Sequence, residues 1–198
     1  MPRARKASPR RMGPVGSDNW HAMLDGAEDI LREEGYAALT SRRVAERIGV
    51  KQRLVYYYFK TMDDLIVETF RRLSVRELER LRNAASSARP LREIWYICVH
   101  AADARLISEF TALANRIPAL RSEVIAFIEE SRRIQVMALS AAPAGNNPQQ
   151  SLPPLAAAII ATSVALSLIR EAALGTTNGH AAVTDVIWRY IRELEPGN

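Results

Sequence analysis

Apolar residues recur at helical spacing along almost the whole chain. Trp20, Leu24, Ala27, Ile30 and Leu31 make one stripe, with Ser17 or Asp18 ahead of it as N-cap and Gly35 behind it as a stop. Thr40 can cap a second, short helix with Val44, Ala45 and Ile48 on its inner side, Gly49 breaks it, and Val50 to Phe59 reads as a third. Thr61-Met62-Asp63-Asp64 has the form of a capping box and opens a long helix through Leu65, Ile66, Thr69, Phe70 and Leu73 towards Ser86. Pro90 starts the next helix, whose stripe is Leu91, Ile94, Trp95, Cys98, Val99 and Ala102. Helical segments at about 104–116 and 119–140 follow, divided by Pro118. Ala141 to Pro154 is rich in proline and reads as a loop, and two last helices at about 155–174 and 180–194 are divided by Gly175 and Gly179. No alternating run bounded by turn signals makes a strand. The pattern predicts an all-α chain of about nine helices.

Charge divides the chain in a way the hydrophobic pattern does not. Of the 198 residues, the first 60 hold 12 Lys/Arg against 7 Asp/Glu, which accounts for the whole formal net charge of +5. A basic end on a neutral body points to a polyanion partner, nucleic acid or an anionic membrane. Residues 1–16 contain Arg3, Arg5, Lys6, Arg10 and Arg11 with no acid, and read as a disordered basic arm. Such an arm either reaches into a minor groove or only solubilises the chain.

From Ser151 to Ile169 no residue is charged, but prolines interrupt the start and Leu155–Ile169 falls short of the ~20 residues of a bilayer span. A buried helix is expected there, and no membrane partner. A single cysteine, Cys98, excludes an intramolecular disulfide and a thiolate-built metal site, and fits a reducing, cytoplasmic setting. The Arg-rich N-terminus has no apolar stretch behind it and is not a secretory signal.

Three short helices and then a long one, in a basic N-terminal third, form the arrangement of a helix-turn-helix module. Ala45 is small where two helices must approach, Gly49 permits the tight turn, and Val50, Val55 and Phe59 can close a small core. Lys51, Gln52, Arg53, Tyr56 and Tyr57 are then turned outwards, and Gln, Arg and Tyr are residue types that bond base edges and phosphates.

At this point the chain resembles the tetracycline-repressor (TetR) family. The resemblance lies in Thr40, Val44-Ala45, Gly49-Val50, Val55-Tyr56, Tyr58-Phe59, Asp63 and Leu65, and covers about residues 18–66. It implies base-edge contacts from Arg42, Gln52 and Arg53. Tyr56 and Tyr57 would lie on the sugar-phosphate backbone or thymine methyls, and Thr40, Ser41, Lys51, Tyr58 and Lys60 would hold phosphates. Lys51 stands where the family often has Ser and Arg53 where Gly is common. Met62 replaces a phosphate-touching lysine. The implied organisation is an arm over 1–16, a DNA-binding domain over 17–62, and a larger effector-binding and dimerisation domain over 63–198.

In this family the C-terminal helices dimerise and enclose an apolar effector pocket. The resemblance thus implies a homodimer on double-stranded, palindromic operator DNA, released by a small apolar effector. The helix at 155–174 is apolar nearly all round, which a monomer hides with difficulty. With the helix carrying Val183, Val186, Ile187, Tyr190 and Leu194 it would build a four-helix interface, which a charge at Ile159 or Ala165 should break. Pocket candidates are Trp95, Tyr96, Cys98, His100, Phe110, Asn115, Phe127 and Met137.

Catalytic residues, metal ligands and cofactors are not expected: the chain has no Gly-rich phosphate loop, Gly-x-Ser-x-Gly elbow or His-Glu-x-x-His site. A peripheral membrane protein would want a Leu, Phe and Trp face where the third helix offers Gln, Arg and Tyr. An effector-free architectural DNA-binding protein shares the module and differs only in lacking the pocket.

Overall fold

The computed structural model describes residues 13–100, 104–142 and 152–196, so the basic residues of the expected arm and most of the proline-rich loop lie outside the described residues. Among the described residues every regular element is helical. Nine α-helices run α1 Asp18–Glu33, α2 Ser41–Arg47, α3 Gln52–Tyr58, α4 Met62–Ala85, α5 Pro90–His100, α6 Ala104–Leu113, α7 Pro118–Ala141, α8 Pro154–Ala173 and α9 His180–Leu194. One 3-10 turn, Tyr36–Ala38, fills the link after α1 and was not predicted. Pro118 marks the break between α6 and α7 by opening α7, where its missing N–H costs nothing. The third helix is shorter than its apolar pattern, because Val50 and Lys51 serve the turn.

The chain forms two compact units, residues 1–69 and 70–198. In the first, the expected caps hold. Ser17 Oγ accepts from the Trp20 N–H, and Thr40 Oγ1 accepts from the Arg43 N–H. Thr61 and Asp64 satisfy each other reciprocally, each side chain accepting the other's N–H at 3.1 and 3.0 Å. Met23, Leu24, Ala27, Ile30, Val44, Val55, Phe59 and Leu65 form its core.

In the second unit α8 packs on α5 and α7, and α6 packs on α7 and α8. One buried group gathers Leu81, Leu91, Ile94, Trp95, Ile134, Ala165 and Ile191. Another is aromatic: the Phe70 ring lies 5.2 Å from Phe110 and 5.8 Å from Phe127 between centroids. A distant residue caps α5. Both oxygens of Glu195 accept N–H groups at its start, from Leu91 at 2.7 Å and Arg92 at 3.3 Å.

α8 differs from the expectation of a buried helix. It is 20 residues long, long and apolar enough by length and composition to cross a bilayer, and only 17% of its apolar window is buried within the chain. Ala157, Ala158 and Ala165 face inwards, while Leu155, Ile159, Ile160 and Leu166 are exposed. Ala165 is therefore a core position, and a charge there would test packing rather than a free face.

Phe110 is fully buried against Phe70, whereas Met137 lies on the surface. Phe110→Ala should lower the free energy of unfolding by about 3–5 kcal/mol, and Met137→Ala should change it by no more than about 0.5 kcal/mol. Urea titration of the two variants measures both. Equal effects would contradict the placement of Phe110.

Candidate nucleic-acid interface and ligand cavities

α3 has 7 residues, too few to be stable by itself, so its presentation depends on what lies beneath and around it. Gly49 takes φ +71°, a conformation a side chain would strain, and lets the Val50 N–H reach back to the Ala45 carbonyl at 2.9 Å. Val55, Tyr58 and Phe59 then point inwards, and Phe59 stacks on Trp20 at 6.4 Å. At the far end the Gly13 N–H donates to the Tyr57 carbonyl at 2.8 Å, meeting one of the orphan acceptors of a helix C-terminus. Gly13 is needed there, since a Cβ would stand 2.5 Å from the Tyr58 ring.

The opposite face carries Lys51, Gln52, Arg53, Tyr56 and Tyr57, all exposed, with Lys60 exposed just beyond it. Gln52, Arg53, Tyr56 and Tyr57 are spaced to share one helical face. Two of them, Gln52 and Tyr56, are held from below by Ser41, which is buried on α2. Its Oγ donates to the Tyr56 hydroxyl at 3.0 Å and accepts from Gln52 Nε2 at 2.8 Å. The sequence expectation put Ser41 on phosphate; the structure makes it a hub that fixes two neighbours. Tyr58 also departs from its expected phosphate role, because its ring is in the core and its hydroxyl accepts from Ser17 Oγ at 3.2 Å. Thr40 caps α2 and keeps its own O–H to donate. Arg42 is outward but turned onto Glu46 at 2.8 Å, an exposed pair that is cheap to release.

Ion pairs invisible in the apolar pattern sort the remaining charges. Arg43 forks onto Glu34 at 2.7 and 3.0 Å, and Arg47 bridges Glu33 and Glu34 at 2.8 Å each. These pairs tie the end of α1 to α2 and spend two arginines inside the module. Lys51, Arg53 and Lys60 have no carboxylate partner among the described residues, so the net positive charge of this surface gathers around α3.

Among the described residues of the second unit lie two part-open apolar cavities. The first, about 210 Å³, is bounded by α5, α7, α8 and α9, and includes Trp95, Cys98, Ala158 and Ile187 in its wall. The second, about 240 Å³, is bounded by α4 to α8 and includes Leu81, Cys98, Phe127, Ser131 and Thr162. Cys98 and Gln135 belong to both walls and separate them. Of the candidates read from sequence, Trp95, Cys98 and Phe127 line these cavities. Phe110 is core, and Tyr96, Asn115 and Met137 are surface residues. His100 lies on an open groove, its ring stacked on Tyr96 at 4.2 Å. Helical periodicity marks which face is inward, but does not say whether an inward residue meets a neighbour or a void. Gln135 and Ser131 were missed for that reason, being polar residues on a face read as packing. Burial pushes the Cys98 thiol up to about 11, so it stays protonated and is neither nucleophile nor ligand at neutral pH. Among the described residues no group of three or more His, Cys, Asp or Glu is placed to hold a metal ion.

The α1–α2 ion pairs make stability depend on pH. The Arg47 hydrogen bond and charge hold the Glu33 carboxyl below the usual carboxylate range, and the Arg43 hydrogen bond does the same for Glu34 against the opposing effect of desolvation. A carboxyl depressed in the folded state stabilises above its unfolded pKa of about 4.3 and loses that contribution as pH falls through the folded value. Wild type should therefore melt higher than Glu34→Gln at neutral pH, with the gap narrowing below about pH 4. A gap that stays constant down to about pH 2.5 would contradict the assignment.

Comparison with known proteins bears on this geometry. Residues 23–69 match the profile of the bacterial regulatory proteins of the tetR family, the segment running from α1 through the turn into α4. No curated protein matches the chain. Among solved structures, a transcriptional regulator from Rhodococcus sp. Rha1 is 21% identical with a TM-score of 0.68, over 87% of this chain and 95% of its own. A TetR transcription regulator from Haloarcula marismortui is 17% identical with a TM-score of 0.69, over 88% and 96%. The SmeT–triclosan complex is 18% identical with a TM-score of 0.57, over 78% and 79%. At such identities the solved structures show a shared fold, and residues 23–69 are the part of the chain that is similar in sequence to the tetR family of bacterial regulatory proteins.

Proposed function

We propose that the chain is a cytoplasmic transcriptional repressor that binds a palindromic operator as a homodimer and is released by a small apolar effector. The observation that carries the DNA part is the outer face of α3, where exposed Lys51, Gln52, Arg53, Tyr56 and Tyr57 stand on a buried anchor and Ser41 orients Gln52 and Tyr56. Gln52 and Arg53 are the base-reading pair, since amide and guanidinium side chains match adenine and guanine edges in the major groove. Lys51 and Lys60 neutralise phosphates, and Arg42 joins them by exchanging Glu46 for DNA.

The dimer reading rests on α8 and α9. Leu155, Ile159, Ile160 and Leu166 of α8 and Val183 and Val186 of α9 are exposed apolar residues on helices otherwise tied into the unit. A second copy covers them better than a bilayer does. Thr162 donates to Gln135 of α7, Glu171 accepts from Ser167 and pairs with His180, and α8 packs on α5 and α7. Those polar ties belong to a helix seated in a water-soluble body.

The effector reading rests on the two cavities, which set the chain apart from an architectural protein with a solid body. The SmeT structure holds triclosan, a small and mainly apolar molecule, in a protein of the same fold. Ligand and DNA that favour different conformations weaken each other's binding by the same factor, and α4, which runs from the first unit into the second, offers a covalent route for that linkage.

Gln52→Ala or Arg53→Ala should cost about 1–3 kcal/mol of DNA affinity and relax the preference at particular base pairs. Lys60→Ala should weaken binding to all sequences alike and flatten the salt slope by about one unit. Titrations against matched and mismatched duplexes separate the two behaviours, and unchanged base preference in both α3 variants would overturn the reading face.

Sedimentation tests the dimer. Wild type should run as a dimer at micromolar concentration and Ile159→Glu as a folded monomer; a monomeric wild type would contradict the interface.

A further inference from the structure

The second cavity has more chemistry in its wall than an apolar effector requires. Its volume of about 240 Å³ exceeds the ~150 Å³ of a dry apolar cavity that accepts benzene, so a two-ring molecule fits. Leu81, Ile97, Ile107, Phe127 and Ile128 supply most of the surface. On the α7–α8 side, however, the wall is a polar strip. Ser131 and Gln135 stand one turn apart on α7, and Gln135 Oε1 accepts from Thr162 Oγ1 of α8 at 3.1 Å.

Ser131 is the anomaly in that strip. A hydroxyl inside a helix ordinarily bonds to the carbonyl four residues back. Thr69 does so to Leu65 at 2.7 Å, Thr111 to Ile107 at 2.8 Å and Ser122 to Pro118 at 3.4 Å. Ser131 does not: its Oγ is buried and has no hydrogen-bond partner at all. An unpaired buried hydroxyl carries a standing desolvation penalty, and a ligand group that pairs with it removes that penalty. Ser131 is itself one of the residues that line the cavity.

The charges around the cavity favour a neutral ligand. Glu77 is buried in the wall, but Arg80 Nη1 meets its two oxygens at 2.9 and 3.1 Å, so a cation finds its counter-charge already taken. An anion would face that carboxylate. Arg132 lines the cavity but is exposed to water, where its attraction is screened.

We infer that the second cavity selects an uncharged, mainly apolar molecule of about two fused rings that carries one hydroxyl-type group, seated against Ser131. The inference rests on the effector reading above and gives that effector its chemical class.

The test uses three probes with one carbon skeleton, 2-naphthol, 2-methylnaphthalene and 2-naphthoate, titrated into wild type and Ser131→Ala by calorimetry. Ser131→Ala should weaken 2-naphthol by about 3- to 10-fold, the worth of one hydrogen bond, and leave 2-methylnaphthalene unchanged or tighter. The variant should melt no lower than wild type, because it loses an unpaired hydroxyl rather than a bond. Equal effects on the two neutral probes, no binding of 2-naphthol, or tightest binding by 2-naphthoate would each overturn the inference. Affinity for a DNA fragment that the chain selects, measured with and without 2-naphthol, separates the two levels. Ser131-dependent binding that leaves DNA affinity unchanged supports the cavity chemistry and refutes the effector mechanism.

Discussion

The structure of the N-terminal unit depends on how a helix of 7 residues is held. α3 is below the length at which helices persist alone, so every functional property of its outer face derives from its buried one. Val55, Tyr58 and Phe59 fix its rotation, Gly49 fixes its entry, and the Gly13 N–H meets its last turn. Rotation by one residue would turn Gln52 and Arg53 away and bring hydrophobic side chains to the surface. The core of this unit is therefore the device that aims the exposed face of α3. Ser41 adds to this by holding Gln52 and Tyr56, so that a partner of this face would meet two side chains already constrained, with less rotamer freedom to lose.

Electrostatics supports the same division of labour. Pairing Arg43 and Arg47 with Glu33 and Glu34 neutralises two cations and holds α2 against α1. What remains positive is clustered on and beside α3. An unselective basic surface would bind any duplex, whereas in the proposed function a small set of unpaired cations positions the base-reading groups without dominating the choice of sequence.

Much of this was legible in the chain. Thr40, Gly49, Thr61 and Pro90 are local signals with local causes, and their caps and breaks fall where steric and hydrogen-bonding rules put them. The exposed face of α3 was equally legible, since outward polar residues on a short helix follow from period alone. The rest depends on contacts remote in sequence. Nothing near Ser41 announces that Tyr56 and Gln52 converge on it, and nothing near Leu91 announces that Glu195 caps α5. The cavities were hardest, because Phe110 and Phe127 look alike in an apolar stripe although one is solid core and the other borders a void. α8 shows a related limit: its nearly uniform apolar run does not say which residues face inwards, and its burial within one chain stops at three alanines.

Selection of duplexes by the purified chain from a random double-stranded pool, followed by sequencing, tests the central claim that α3 reads DNA. The account predicts enrichment of a palindrome whose half-sites are centred about one helical turn apart or a small multiple of it. No enrichment over competitor duplex, or a single asymmetric motif, would contradict it.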